Sequence, residues 1–339
     1  MLTYGAGDTS AYPYPLMRIP RRALPLRVAA YARAAYPLLR WADLTYQHTL
    51  GLPLVGGCAP RLLKIVGDQA WERSIRRGWI APTEDIDDFQ TRRYSAVVTA
   101  QQAARSREAR RMDGIIVPSD YLRRIVIGWG VDPARVQVIY NALPADHDTP
   151  RCTQGEARLQ LGLDAAPLLL TAARLHPWKG VDHLISAIAR VPDVRLVVTG
   201  DGTERPALEA LIARLHLEKR VTLLGNVPRE RLALWMQAAD YVALYSGYEG
   251  LSHVLLESLR AGTPVIASDK GGNPEVVRHG VNGLLVPYVD VEALVAALAE
   301  AFQPGRRDAL AANTHVGMER FDFSTMVAHT AAALEAHLP

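Results

Sequence analysis

The chain has 339 residues, 49% of them apolar and 22% charged, and a formal net charge of +3. That length suits two domains with large cores better than one; its two cysteines, Cys58 and Cys152, lie far apart without ligand-like spacing, so a disulfide framework or zinc site is excluded and both read as ordinary buried thiols. No run of about 18 uncharged apolar residues and no basic, then apolar, N-terminal leader is present, so neither a membrane span nor a secretory signal is read and a cytoplasmic protein is expected.

In chain order, the stretch "RIPRRALPLRVAAYARAAYPLLRW" (18–41) mixes Arg with Leu, Tyr and Trp as interfacial helices do, although two early prolines and ordinary packing favour a core helix. "LLKIVGD" (62–68), "YSAVVTA" (94–100), "DGIIVPS" (113–119) and "VQVIYNAL" (136–143) read as strands, with helices around 27–42, 101–111 and 120–128. The polar segment "PADHDTPRCTQGEA" (144–157) reads as a linker. Strand and helix patterns then alternate regularly. Strands are read at 167–175, 194–202, 220–227, 241–246, 263–268 and 282–287, and helices at 181–191, 205–217, 229–239, after Gly250, at 273–280 and at 290–302. Such alternation implies a parallel sheet covered on both faces, with ligands bound outside the carboxyl ends of its strands. The expected fold class is therefore α/β, with two domains facing each other across a cleft.

Charge is uneven along the chain. Residues 1–150 carry 20 Lys+Arg against 14 Asp+Glu, a net +6, and residues 151–339 carry 18 against 21, a net −3. A basic half suits an anionic partner such as a membrane surface or a phosphorylated acceptor, or is simply a solvated Arg-rich surface. The chain has 34 Arg and only four Lys, at positions 64, 179, 219 and 270.

The stretch "YEGLSHVLLESLRAGTPVIASDKGGNPE" (248–275) carries two glutamates eight residues apart. With Gly250 ending the strand, Ser252 as a helix cap and helical spacing up to Gly262, the sequence puts Glu249 just ahead of a helix and Glu257 about two turns inside it. Eight residues at about 1.5 Å each separate them by roughly 12 Å. That is too far for a shared proton or a jointly held metal, but it matches an extended ligand whose phosphates meet the free N–H groups of residues 250–253, Gly250, Leu251 and Ser252 among them. In "AARLHPWKG", Arg174 and Lys179 follow a strand's carboxyl end. Both suit a diphosphate that gains charge as it leaves, although each is also compatible with a salt-bridge or solvated helix-start role.

"TAARLHPWKGVDHLISAI", "VVTGDGTERPALEALI", "VTLLGNVPRERL" and the stretch 248–287 together resemble the nucleotide-sugar-binding domain of retaining glycosyltransferases of family 4, which have the GT-B fold of two Rossmann-like domains. The resemblance implies an acceptor-side domain at 1–146, a donor-binding domain at 147–318 and a C-terminal helix at 319–339 crossing back to the first. It implies that Arg174 and Lys179 bind the donor's diphosphate, Glu249 contacts the sugar, Glu257 holds the ribose hydroxyls, and Gly225, Asn226 and Val227 face the base. The loop 270–275 would close on the same cleft, with Lys270 there or simply solvated. The donor would be a UDP- or GDP-linked sugar, the acceptor a hydroxyl on a glycan, glycolipid or small molecule, with no further cofactor, no metal and no nucleic acid. A peripheral contact on the inner membrane face is compatible with the basic first domain.

Two departures from the family pattern stand out. The opening "MLTYGAGDTSAYPYPLMRIPRR" resembles the family's second strand and the segment after it, so the first domain is expected to lack its first strand-helix unit and to expose an edge; "GAGD" (5–8) is a poor substitute for the glycine-rich turn. In "KIVGDQAWERSIRRGW" Gly67 stands where relatives carry His, and Asp68 keeps its place. Asp68 is therefore expected as an acceptor-side group or a helix cap, with Trp71, Glu72, Arg73, Arg76, Arg77 and His48 either shaping the acceptor pocket or purely structural. The leading expectation is a retaining, metal-independent transferase. A nucleotide-sugar-binding protein without activity and a GT-B nucleotide-sugar 2-epimerase are the alternatives.

Overall fold

The computed structural model describes residues 1–5, 12–20, 23–144 and 152–339. The expected boundary at 146/147 and most of "GAGD" lie outside the described residues. Three parallel sheets are formed. The first unit holds β1 (Leu2–Tyr4) and β2 (Met17–Ile19) as a separate pair, and β3 (Thr45–Gln47), β4 (Arg61–Lys64), β5 (Gly114–Val117) and β6 (Val136–Val138) in the order β3-β4-β5-β6. Its helices are α1 (Leu24–Trp41), α2 (Gln69–Arg76), α3 (Ile86–Thr91), α4 (Ala96–Ala109) and α5 (Asp120–Gly128).

The second unit holds β7 (Leu168–Ala172), β8 (Arg195–Thr199), β9 (Val221–Gly225), β10 (Tyr241–Leu244), β11 (Val265–Ser268) and β12 (Gly283–Val286). Their order is β12-β11-β10-β7-β8-β9. Around them lie α6 (Gln154–Leu161), α7 (Val181–Ile188), α8 (Arg205–Arg214), α9 (Arg229–Ala238), α10 (His253–Arg260), α11 (Asn273–Val276), α12 (Val291–Ala301) and α13 (Arg306–Ala311), and α14 (Phe323–Glu335) follows them. Alternate residues of the central strands enter different cores. Leu169, Leu196, Val198 and Tyr241 pack with α7, α8 and α12, whereas Leu168, Leu170, Val197 and Val242 pack with α9 and α10. Burial on both faces is why these strands read as unbroken apolar runs.

Chain order reverses direction in this sheet between β7 and β10: β8 and β9 extend to one side, β11 and β12 to the other. The chain leaving β7 and the chain leaving β10 therefore diverge and open a crevice at their carboxyl ends, the usual ligand position in open α/β sheets.

Three local expectations are corrected. Residues 94–100 are not a strand but lead into α4; Val98, Arg105 and Ala109 form its buried stripe while Val97 stays exposed, a helical rather than a two-sided strand pattern. The thiols are not both buried: Cys58 is exposed on the loop before β4, and Cys152 is half-buried. Helix α1 buries Tyr31, Ala35 and Leu39 but leaves Leu24, Leu26, Tyr36 and Trp41 exposed, the last at 82%. Among the described residues no helix is long and apolar enough to cross a membrane.

The two units touch through an aromatic seam. Trp71 and Tyr121 of the first unit pack against Tyr248 of the second, and Trp178 packs edge-on against Trp71 at 5.1 Å. Helix α14 lies over the first unit's sheet, with Ala333 and Met326 against Ile116 and Ile139. The Glu275 carboxylate accepts from the N–H groups of Asp120 and Tyr121 at the start of α5, at 2.9 and 2.8 Å, where the helix dipole favours an anion. Lys270, read as lining the cleft or as solvated, pairs with Asp85 of the first unit at 2.8 Å.

Candidate donor and acceptor site

Arg174 and Lys179 leave the carboxyl end of β7, and Glu249 lies in the loop leaving β10, so all three meet at the crevice where the sheet reverses. Lys179 sits in a one-turn helix, Pro177–Lys179, closed by Gly180 at φ 62°. A Cβ at Gly180 would stand 2.0 Å from the Tyr245 carbonyl oxygen, so only glycine lets the β7 loop approach the β10 loop this closely. The result is a direct ion pair, Lys179 Nζ to Glu249 Oε1 at 2.5 Å, with both side chains about 15% exposed or less. Arg174 is exposed and, among the described residues, in no ion pair, so its guanidinium is available to an anion.

The Glu249 backbone is buttressed in turn. Its carbonyl accepts from Gly272 N–H at 2.9 Å, which locks the loop 270–275 onto it. Helix α10 begins at His253, as the Ser252 cap position expects, so Glu257 is its fifth residue and lies about one turn inside it instead of two. Ser252 is at the N-cap position, but its side chain makes no capping hydrogen bond. Gly250 and Leu251 bridge Glu249 and this helix start, and Gly250 is pressed against the first unit: a Cβ there would stand 2.4 Å from the Val66 carbonyl oxygen. Burial raises the pKa of Glu257, while His253, Arg229 and Arg260 pull it back. Gly225, at φ 73°, ends β9, and its carbonyl accepts from Gly200 N–H at 2.8 Å. Exposed Asn226 and half-buried Val227 follow on that rim.

The acceptor-side candidates separate. Asp68 is fully buried: its carboxylate caps α2, accepting from the Ala70 and Trp71 N–H groups, and it pairs with the buried Arg105 guanidinium. Burial lowers the Arg105 pKa, and Asp68 opposes that shift. Trp71 is 1% exposed, and its indole N–H donates to the Glu84 carbonyl. Asp68 is thus tied into α2 and Arg105, and Trp71 into the seam with Trp178 and Tyr248, so neither presents a free polar group here; an inward side chain and an outward one look alike in a single sequence. His48 is exposed but packs edge-on against Tyr46 and lines a different cavity, between β1, α1 and β3.

Glu72 does reach the crevice. Burial is the main cause of its raised pKa, opposed by Arg76 of the same helix and by Arg174 across the cleft, with Lys179 adding a smaller pull. A Cβ at Gly67 would meet Glu72 Oε1 at 3.0 Å and the Tyr248 hydroxyl at 3.2 Å. The Tyr248 hydroxyl is itself buried without a hydrogen-bond partner among the described residues. The space next to Gly67 is thus filled by Glu72 and Tyr248. His176 does not stand out in the sequence, although it lies between Arg174 and Lys179 in the same motif. It stacks on Trp178 at 4.8 Å, and burial together with Arg174, Lys179 and Arg76 holds its pKa below the usual histidine value. Among the described residues no three His, Cys, Asp or Glu side chains converge as metal ligands.

Residues 154–314 match the sequence family Glycosyl transferases group 1. The chain is 37% identical over 215 residues to a D-inositol 3-phosphate glycosyltransferase from Xylanimonas cellulosilytica, covering 59% of this chain and 51% of that one. It is 40% identical over 166 residues to the Mycobacterium sp. (strain JLS) protein of the same name, covering 47% and 38%. The match thus spans about half the length, or less, of these curated relatives. Among solved structures, Anabaena HepE in complex with UDP-glucose superposes with a TM-score of 0.77 at 25% identity, covering 95% of this chain and 86% of that one. Sucrose-phosphate synthase from Thermosynechococcus elongatus gives the same TM-score at 23% identity, covering 95% and 81%, and shares the fold.

Proposed function

We propose that this chain, whose residues 154–314 belong to the group 1 glycosyl transferases within a GT-B fold, is a retaining glycosyltransferase that takes its sugar from a nucleoside diphosphate sugar. The observation that carries this reading is the exposed Arg174 beside the Lys179–Glu249 pair at the point where the sheet reverses. Two cations converge there with an uncapped helix start, and that combination suits a diphosphate better than a neutral ligand. The binding of UDP-glucose by HepE supports a UDP-linked donor, with GDP as the other base to test.

In this reading the bond from sugar C1 to the diphosphate oxygen breaks, and its electron pair leaves with the diphosphate. Arg174, Lys179 and the amides after Glu249 hold the charge that develops, which is where stabilisation accelerates the step. The acceptor hydroxyl oxygen bonds to C1 on the face the diphosphate vacates, and its proton passes to the departing phosphate oxygen. Glu249, fixed by Lys179, faces the sugar hydroxyls, Glu257 takes the ribose, and Gly225, Asn226 and Val227 border the base. The two cations supply the charge that a divalent ion supplies elsewhere, so turnover should persist in EDTA. The exposed apolar residues of α1 beside Arg33 and Arg40 support a peripheral contact with an anionic membrane face from the cytoplasmic side.

The test is a screen of UDP- and GDP-linked sugars for thermal stabilisation and nucleotide release with EDTA present. At least one should do both; stabilisation without release from any of them would favour the binding-protein alternative. The close approach at Gly250 adds a sharper expectation. Gly250→Ala must push the Val66 carbonyl away and part the two units, so nucleotide release falls by about 10²-fold. Gly128→Ala, where a Cβ meets open space, is the control and keeps wild-type rates. Equal rates for the two variants would contradict the closed arrangement.

A further inference from the structure

Residues 270–275 touch both sides of the crevice. On the donor side, Gly271, at φ 63°, and Gly272 lie directly on the backbone that carries Glu249. A Cβ at Gly271 would stand 2.3 Å from the Glu249 carbonyl oxygen, and one at Gly272 would stand 2.4 Å from that of Gly250. The Gly272 N–H donates to the same Glu249 carbonyl at 2.9 Å. On the other side, Lys270 pairs with Asp85 at 2.8 Å, and the Glu275 carboxylate takes the N–H groups of Asp120 and Tyr121. The Lys270 and Asp85 side chains are 32% and 27% exposed, so solvent screens their attraction only in part. Arg92 and Arg105 of the first unit, and Arg158, Arg190 and Arg195 of the second, find acids within their own unit, whereas Lys270 reaches across.

The segment is braced along its length. The Asn273 N–H donates to the Lys270 carbonyl at 3.3 Å and the Glu275 N–H to the Gly272 carbonyl at 3.1 Å, and the buried Asn273 amide donates to Ser268 at the end of β11. A displacement of its ends is therefore felt at Gly271 and Gly272. Its two receiving points also form one body: Asp85 caps α3 by accepting from the Asp87 N–H, and the Tyr121 hydroxyl of α5 donates to the Asp87 carboxylate at 2.9 Å. The aromatic seam keeps the units close, but apolar contact has no direction. The bonds of Lys270 and Glu275 do. Glu249 is thus held twice, its carboxylate by Lys179 and its backbone by a strap whose ends belong to the first unit. We propose that Lys270 and Glu275 are positioning residues for Glu249: engaged with the first unit they seat its backbone toward the donor sugar, and when the units part they release it. A misplacement of about 1 Å can cost about 10²-fold in rate while leaving ground-state binding nearly intact. The role of Glu249 rests on the transferase reading, but the mechanical link can be tested without turnover.

The experiment follows hydrogen exchange of residues 270–275 by mass spectrometry, UDP binding by calorimetry and nucleotide release from UDP-glucose, in wild type, Lys270→Met, Lys270→Arg and Glu275→Ala. In Lys270→Met and in Glu275→Ala, exchange of the segment should rise and kcat should fall, each by about fivefold or more, with UDP affinity held within about twofold. Lys270→Arg, which keeps the charge, should behave as wild type. Placed in a Glu249→Gln background, Lys270→Met should cost nothing further, because its effect passes through that carboxylate. Unchanged exchange in both breaking variants, or a loss of UDP affinity as large as the loss of kcat, would overturn the proposal. So would an undiminished cost of Lys270→Met in the Glu249→Gln background. If exchange rises in the variants while wild type releases nucleotide from no donor of the UDP- and GDP-sugar screen, the strap's hold on the Glu249 backbone stands and the transferase reading fails.

Discussion

Lys179→Ala lowers nucleotide release from the donor sugar by about 10²- to 10³-fold, the usual consequence of removing one preorganised group from a developing anion, with little change in thermal stability. Two losses combine in this variant. Lys179 supplies a point charge at the crevice, and it also holds Glu249 through the 2.5 Å ion pair. Losing the lysine therefore removes a diphosphate contact and frees a half-buried carboxylate to repel the donor. Because both effects pass through one pair, Lys179→Ala combined with Glu249→Gln should lose less than the two single variants multiplied together. Arg174, exposed and in no ion pair among the described residues, acts on the diphosphate alone, so its effect should multiply independently of Glu249. Near wild-type release from Lys179→Ala would remove the cation pair from the mechanism.

Asp68→Ala destabilises the fold by about 3–5 kcal/mol, the cost of leaving one member of a buried ion pair without its partner. The carboxylate is fully buried, caps α2 through two N–H groups and neutralises Arg105, whose guanidinium also lies 4.1 Å over the Trp129 ring. Its removal leaves a buried guanidinium unmatched and the first turn of α2 uncapped, the second loss worth about 1 kcal/mol. Chemical denaturation measures the difference. Replacing both members with apolar residues, Asp68→Leu with Arg105→Met, should recover much of the lost stability, since removing a whole buried pair is far milder than halving it. A stable Asp68→Ala that lost only activity would return Asp68 to the acceptor side.

The contrast between Asp68 and Glu249 shows what a sequence can carry. Arg174, Lys179 and Glu249 are legible because each follows an apolar run whose end must lie on the ligand side of a parallel sheet. Their pairing is not, because Lys179 and Glu249 are 70 residues apart and meet only where β7 and β10 lie side by side. The strands of the second unit are legible for the same reason that they are stable: with both faces covered, each is a continuous apolar run. In the first unit β3 has only three residues, and the β-branched "AVVTA" imitates a strand until the i, i+7 and i+11 stripe of Val98, Arg105 and Ala109 is seen against α2. The burial of Asp68 and Trp71 is not legible because nothing local says that a side chain points inward when its partner, Arg105, is 37 residues away.

The most direct measurement is the binding of a nucleoside diphosphate, UDP or GDP, to wild type and to the Arg174→Ala/Lys179→Ala double variant, followed by thermal stabilisation or calorimetry. Wild type should be stabilised saturably by one of the two nucleotides, more than by the matching monophosphate, and the double variant should not respond. If neither diphosphate stabilises wild type, or if the double variant responds equally, the crevice between β7 and β10 is not a diphosphate site.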